Sequence, residues 1–512
     1  MRVLTDMVGG EPLQNQNAGD HRSVAVVGGG ITGLVTAYEL RRRGVNVTLY
    51  EASGCSGGVI RTAHANGFIA EHGPNSFMTS EPVEALLTQL ALHDDVVEAN
   101  ADANKRFVVR GGRLIPFPLS LSAAASTRLF SLPAKLRLLL EPLVKAGPID
   151  VDESVASFVR RRLGREVLDY AVDPFVSGIY AGDPESLSMA HAFPRVFQLE
   201  RTHGSLTNGL IAQRRAAAAD RRLTAAHGAH GAHGANGANG AKGAKGAKGE
   251  SAHPVAPRQR PRLISFAAGM QTLTDALEAS LAGTLRLGCP VHLLHRQEMR
   301  WVVDAGPDGE SRARAVDAVV MATPAHVLAA MELPAALRTH AVPIEQVEYP
   351  PVSALTLGFR QCDVAHKLDG FGMLIPSAEQ RSVLGALFSS SLFPHRAPAD
   401  HVAITCFVGG ARHPARAREE PHVLVQRVMH DLRELLGVRG NPVFVHHVFW
   451  PRAIPQYTVG YGAVKDAADA VELANPGLYL AGNYRNGIAV GDCVASAQQI
   501  AERVAVYLAR AG

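Results

Sequence analysis

At 512 residues the chain is long enough for two or three domains, each with a core of its own. Its 51 lysines and arginines exceed its 47 acids by only four, so no global charge draws it to nucleic acid. Five scattered cysteines (Cys55, Cys289, Cys362, Cys406, Cys493) without a C-x-x-C pair argue against a disulfide framework or cysteine metal site and predict reduced thiols packed as small residues, while no apolar run reaches the ~20 residues of a membrane-spanning helix.

Residues 1–21 hold neither the positive start nor the apolar stretch of a secretory signal, and predict a disordered lead-in to a soluble or membrane-surface protein. Ser23 to Glu51 then reads as strand, glycine turn, helix, strand and acid. Ser23–Val27 is a short apolar run, Gly28, Gly30 and Gly33 supply G-x-G-x-x-G, and Leu34, Ala37, Tyr38 and Leu40 follow at helical spacing. Gly28 permits the tight turn, Gly30 admits a pyrophosphate close to the backbone, and Gly33 lets helix and strand pack together. The helix N-terminus offers that anion free N–H groups and the positive end of its dipole. Glu51, 23 positions beyond Gly28, suits a pair of ribose hydroxyls and disfavours a 2′-phosphate. A second flexible turn follows at Gly57–Gly58, with Arg61 in reach of the same phosphates, and Glu71-His72-Gly73-Pro74-Asn75-Ser76 reads as a turn pressed against a ring system. A nicotinamide dehydrogenase has no use for these parts, whereas a longer cofactor must be threaded past further backbone, which moves the reading from NAD to FAD.

Glu81–Leu92 has the pattern of an amphipathic helix with Pro82 in its first turn. Lys105–Val109 and Arg113–Pro116 predict a hairpin through Gly111–Gly112, with Arg106 either turned into a cavity or solvated. From Pro118 to Arg201 the pattern is helical and leucine-rich. Leu129, Phe130, Leu132, Leu136, Leu139 and Leu140, interleaved with Arg128, Lys135, Arg137 and Lys145, are expected mostly to pack a helical core, a minority meeting anionic lipid. Residues 214–261 collapse into low complexity, with a three-residue repeat from His227 to Gly249. Lacking the proline of collagen and any surface worth burying, it predicts a disordered surface insertion; His227, His230 and His233 are not read as a functional metal site. Strands are expected at Val291–Leu294, Val316–Pro324, Ala354–Phe359, Phe371–Ile375, Val383–Phe388 and Val402–Val408, and helices at Gln271–Ala282 and Val423–Leu436. The end reads as a strand Gly477–Asn483, a loop Tyr484–Val490, and a helix from Asp492, taken as its capping acid, to Arg510.

Six stretches, GGGITGL, YEASGCSGGVIRT, EHGPNSF, GFGMLIP, IPQYTVGY and LAGNYRNGIAVGDC, together resemble the protoporphyrinogen oxidases, FAD enzymes of haem and chlorophyll synthesis among the amine-oxidase-like flavoproteins. The resemblance spans most of Ser23–Arg510, and Gly178–Gly182, Ile454–Tyr457 and Gly487–Cys493 are its narrowest motifs. It implies an α/β and α+β fold with a discontinuous Rossmann-type FAD-binding domain (22–104, 262–330 and 473–512) and a mixed-sheet substrate domain (105–117 and 331–472). A helical, membrane-associating subdomain (118–213) and the insertion at 214–261 complete it; the insertion departs from the family, and deleting His227–Gly249 is expected to leave activity intact.

The resemblance implies that six electrons leave protoporphyrinogen IX in three two-electron steps, with oxygen reoxidising the flavin and hydrogen peroxide released. A large, mostly apolar macrocycle with carboxylates at one edge needs a wide hydrophobic slot and one or two cations. Arg106 matches the family's propionate-binding arginine, Phe371, Leu374 and Phe407 would line the slot, and the Gly178 backbone would form its rim. Cofactor contacts carry over to Gly28, Gly30, Gly33, Glu51, Gly58, Arg61, Gly73, Val291, Asn483, Ile488, Ala489 and Val490. No catalytic acid or base and no metal ligand carries over. The implied partners are the tetrapyrrole and molecular oxygen, with no nucleic acid; peripheral contact with the inner face of the membrane from the cytoplasm, a homodimer and transfer of product to ferrochelatase belong to the same expectation. Three alternatives stay open: coproporphyrinogen III with its four carboxylates, an amine oxidase, for which no lysine beside the flavin N5 is identifiable, and a flavoprotein that carries a tetrapyrrole without turnover.

Overall fold

The structure is a computed structural model that describes residues 22–148, 151–216, 218, 261–307, 310, 312–331 and 335–510. The lead-in at 1–21 and the repeat at 227–249, both expected to be disordered, lie outside the described residues. Five short strands run parallel in the order Leu285–Arg286, Asn46–Tyr50, Ser23–Val27, Ala318–Met321, Leu478–Leu480. Ser23–Val27 is buried along its whole length because both faces are covered. Val24 and Val26 join a core with Leu34, Ala37, Val494 and Ala497, where the helix Ile31–Arg42 packs on Val490–Arg510. Ala25 and Val27 join a second core with Leu294, Trp301 and Val303 of the antiparallel strands Val291–Gln297 and Arg300–Ala305.

The single strand expected at Val316–Pro324 is two. Arg312–Val316 belongs to the antiparallel sheet and Ala318–Met321 to the parallel one. Between them the Asp317 carboxylate accepts the Ser23 backbone N–H at 2.7 Å and its hydroxyl at 3.1 Å, which fixes the switch.

A seven-stranded mixed sheet runs in the order Phe444–Trp450, Val352–Arg360, His401–Gly409, Val383–Leu387, Gly370–Leu374, Lys105–Arg110, Arg113–Pro116. Alternation along its central strands separates two faces. Leu355, Leu357, Phe359, Ile404 and Cys406 pack with Leu424, Val428, Leu432 and Leu436 of the helix Pro421–Leu436. On the other face Ala354 lies between Phe407 and Val448, and two residues on Thr356 lies between Thr405 and His446. The predicted hairpin closes through Gly111 and Gly112 at φ of +58° and +68°, the conformation a two-residue turn of this hand demands.

In the helical region Ser131, Ser154 and Ser188 side chains cap Leu132–Leu139, Val155–Arg162 and Met189–Ala192 by accepting backbone N–H groups. The expectation that most of its leucines pack inward is corrected. Leu129 and Phe130 are buried, but Leu132, Leu136, Leu139 and Leu140 are 56–75% exposed. Leu132–Leu139 is only two turns long and buries Ala134 alone, which leaves Leu132, Leu136 and Leu139 uncovered among the described residues. Packed cysteines are likewise corrected in part: Cys406 and Cys493 are buried, whereas Cys55 and Cys362 are exposed. The strand Phe444–Trp450 and the helix Gly462–Ala474 were not foreseen, and the last helix begins at Val490, placing Asp492 inside its first turn and not at its cap.

Candidate active site

The five- and seven-stranded sheets share the walls of a cavity of about 2500 Å³. That exceeds the ~300–1,000 Å³ of a single-ligand pocket, so two occupants fit. At one end the turn after Ser23–Val27 enters it. Gly28 has φ +105° and backs onto the Ala322 carbonyl, and a Cβ on Gly33 would fall 1.9 Å from the Gly28 oxygen, so no side chain fits at either position. A Cβ on Gly30 would meet nothing within 4 Å, because that residue faces the open cavity. Ile31–Arg42 begins there with no side-chain cap and no acid in its first turn, leaving its N–H groups free for an anion. Glu51 is held beside the turn: one carboxylate oxygen accepts Gly29 N–H at 2.6 Å, the other Ser53 N–H at 2.8 Å and Ser53 hydroxyl at 2.7 Å. Gly57 donates its N–H to the Gly29 carbonyl at 2.8 Å, which brings the second glycine turn against the first. Cys289 N–H on the Glu51 carbonyl brings Pro290 and Val291 alongside.

At the other end Gly482, Asn483 and Ile488 to Asp492 come together at the N-terminus of Val490–Arg510. Tyr457 ties this loop down, donating its hydroxyl to the Asn483 carbonyl and accepting Gly487 N–H at 3.0 Å; burial drives its phenol pKa up, so it stays a neutral donor. The wall beyond is apolar: Gly178 and Ile179 of the helix Asp173–Tyr180, Val352, Ala354, Phe371, Leu384, Leu387, Phe407 and Ile454. Arg61 Nε, His72 Nε2 and Thr323 Oγ1 are among the buried polar atoms with no hydrogen-bond partner among the described residues. The last two belong to cavity-lining residues, as a site shaped for a polar ligand requires.

Of the residues singled out in the sequence, Gly28, Gly30, Glu51, Gly58, Gly73, Val291, Asn483, Ile488, Ala489, Val490, Gly178, Phe371 and Phe407 line this one cavity. Gly33, Arg61, Arg106 and Leu374 do not. Gly33 acts by close packing, and Leu374 sits behind Gly178, its Cδ2 filling the space a Cβ there would need. Arg106 is exposed at the start of its strand, with its guanidinium 5.5 Å from the centre of the Phe371 ring. Sequence reasoning missed Arg195, Trp450 and Thr323, all on the cavity wall. Arg195 follows Pro194 on a helix surface and carries no local signal that separates it from a solvated arginine. Among the described residues no group of three or more His, Cys, Asp or Glu is placed to hold a metal, and no helix is long and apolar enough to cross a membrane.

The profile of the family described as flavin containing amine oxidoreductase matches residues 31–505. The chain is 35% identical over 510 residues to the mitochondrial protoporphyrinogen oxidase of Nicotiana tabacum, covering 95% of each chain. It is 26% identical over 505 residues to the coproporphyrinogen III oxidase of Bacillus subtilis, covering 95% of this chain and 98% of the other. A crystal structure from Exiguobacterium sp. 255-15, provisionally assigned as a protoporphyrinogen oxidase, superposes with a TM-score of 0.74 at 24% identity, covering 95% of this chain and 99% of that one, a likeness of fold.

Proposed function

The chain belongs to the flavin containing amine oxidoreductase family, and from that premise we propose that it oxidises protoporphyrinogen IX to protoporphyrin IX with molecular oxygen. It is an FAD-dependent oxidoreductase. The observation that carries the substrate is the 35% identity sustained along 95% of both chains, joined to a cavity with room for a cofactor and a macrocycle together. The walls fit FAD: an uncapped helix start behind a glycine turn, an acid held at the ribose position, and buried polar atoms awaiting a partner. In this reading Gly28 and Gly30 hold the pyrophosphate, Glu51 the ribose, Val291 the adenine side, and Gly58, Gly73, Asn483 and Ile488 to Val490 the ring end. Bound FAD supplies the hydride acceptor and passes the electrons to oxygen. The chain's own part is to orient the macrocycle on the apolar wall, exclude water, and meet the propionates with cations. Arg106 beside Phe371 is the first such cation.

Coproporphyrinogen III is the second reading, favoured by Arg195 as an additional guanidinium on the cavity wall. Aerobic turnover of both porphyrinogens side by side, followed by porphyrin fluorescence and peroxide, decides between them. Preference for protoporphyrinogen IX is expected; preference for coproporphyrinogen III moves the enzyme to that branch, and turnover of neither overturns both. Peripheral membrane contact through the exposed leucines around Leu136 is part of the proposal. So are a homodimer and direct hand-off of the porphyrin to ferrochelatase, which sedimentation and co-sedimentation would test.

A further inference from the structure

A column of four rings runs from the body of the protein to the cavity wall. Phe68 stacks on Phe444 at 4.7 Å, Phe444 is parallel to His446 at 6.4 Å, and His446 stacks on His72 at 4.9 Å. The two phenylalanines are buried, and His72 is the member that lines the cavity. Trp450, also on the wall, donates its indole N–H to the His72 carbonyl at 2.7 Å and fixes the backbone. The Nε2 atoms of both histidines are buried without a partner among the described residues. His446 stands on the outermost strand of the seven-stranded sheet. Beside it on the same face Thr356, Thr405 and Ser389 form a buried hydroxyl chain, with oxygens 3.0 and 2.9 Å apart.

We propose that His72 and His446 are the proton-carrying pair of this active site, a role that rests on the porphyrinogen-oxidase reading. Each two-electron step removes a hydride and a proton from the substrate. Bound FAD would supply the hydride acceptor, and the proton, which cannot stay in an apolar slot, moves to His72. The oxygen half-reaction delivers the hydride and that proton to O2 as hydrogen peroxide, so atoms and electrons balance over one cycle. Burial, then His446, then the Arg61 guanidinium disfavour a positive charge on His72, and burial does the same for His446, so both rest as neutral acceptors. The neighbouring Glu71 is occupied by Arg396, Thr62 and Met270 N–H and offers the pair no counter-charge. A proton accepted there is therefore readily given up again.

The test uses the FAD-loaded full chain with His72→Gln and His446→Gln. His72→Gln is expected to lower kcat about a hundredfold, with KM within about twofold and flavin content by absorbance unchanged. His446→Gln removes one of the influences that keep His72 neutral, so the acid limb of kcat/KM moves to higher pH, and the His72 imidazole titrates at higher pH by NMR of histidine-labelled protein. Wild-type kcat in His72→Gln, or an unmoved acid limb and unmoved His72 titration in His446→Gln, overturns the pair while porphyrinogen turnover by the parent stands. If His72→Gln does not fold, the His446→Gln profile and titration decide alone. A parent that turns over no porphyrinogen overturns the functional reading and the pair with it.

Discussion

A cation at the cavity edge acts through one contact, and its removal is read in KM. On the proposed reading Arg106→Ala deletes a charge-assisted hydrogen bond to a propionate of roughly 1.5–3 kcal/mol, and because the side chain is exposed the lower end applies. KM for protoporphyrinogen IX is expected to rise about tenfold with kcat nearly unchanged, and Arg195→Ala to raise KM for the four-carboxylate substrate more; steady-state kinetics on both substrates checks this, and an unchanged KM in Arg106→Ala would sink its assignment. The glycines were legible because their constraint is local: spacing and positive φ are properties of a few residues. His72 and His446 were not legible as a pair, since they stand 374 positions apart and only the packed sheet brings their rings to 4.9 Å.

At the scale of elements, a buried ion cluster binds the helical region. Arg162, fully buried, meets Glu141 at 2.9 Å and Glu200, and Glu141 in turn accepts Leu206 N–H at 2.9 Å, Thr207 N–H at 3.0 Å and the Ser205 hydroxyl at 2.8 Å. Arg162→Ala leaves the buried Glu141 without its cation and Glu200 with Arg161 alone, and is expected to cost about 3–5 kcal/mol of unfolding free energy, measurable by denaturant titration. Burial alone would raise the Glu200 carboxyl, but hydrogen bonds from Arg161 and Arg162 outweigh it and hold its pKa below the ordinary value. Hydrogen bonds around residues 205–207 do the same for Glu141. The stability from these acids is therefore present above the ordinary glutamate pKa and lost as pH falls through the lowered folded values, and Glu200→Gln should flatten acid unfolding below about pH 4.5. The exposed leucines belong to a different element and a different measurement. Leu136→Glu with Leu139→Glu is expected to reduce co-sedimentation with anionic vesicles severalfold and leave detergent-phase turnover unaltered. Helix caps at Ser131 and Ser154 emerge with the structure, and so does the direction of the leucines, because a two-turn helix faces whatever its neighbours leave open.

For the whole molecule, a buried tie joins the segment after Val383–Leu387 of the seven-stranded sheet to the strands Phe68–Glu71 and Leu263–Phe266. Arg396, in the segment between two strands of the seven-stranded sheet, is buried against Glu71 and donates to the Ser265 hydroxyl at 2.6 Å, while Glu71 also takes Met270 N–H at 2.9 Å and the Thr62 hydroxyl at 2.7 Å. Arg396→Met is expected to cost about 3–5 kcal/mol and to loosen flavin retention, read by thermal unfolding and by flavin released on gel filtration; adding Glu71→Leu should recover much of the stability, since no buried charge is then left unpaired. By itself the sequence determined the glycine turn and its acid, the hairpin through Gly111–Gly112, most strands of the seven-stranded sheet, and through its motifs the flavoprotein family, because each is written in local spacing or in side chains recognisable one segment at a time. Only the tertiary structure decided that strands from residues 23–50, 285–286, 318–321 and 478–480 make one parallel sheet, that Arg195 and Trp450 reach the cavity, and that two distant histidines stack at its wall. Those facts depend on which surfaces meet when several separated segments bury their apolar faces at once, and no stretch of chain carries that information alone.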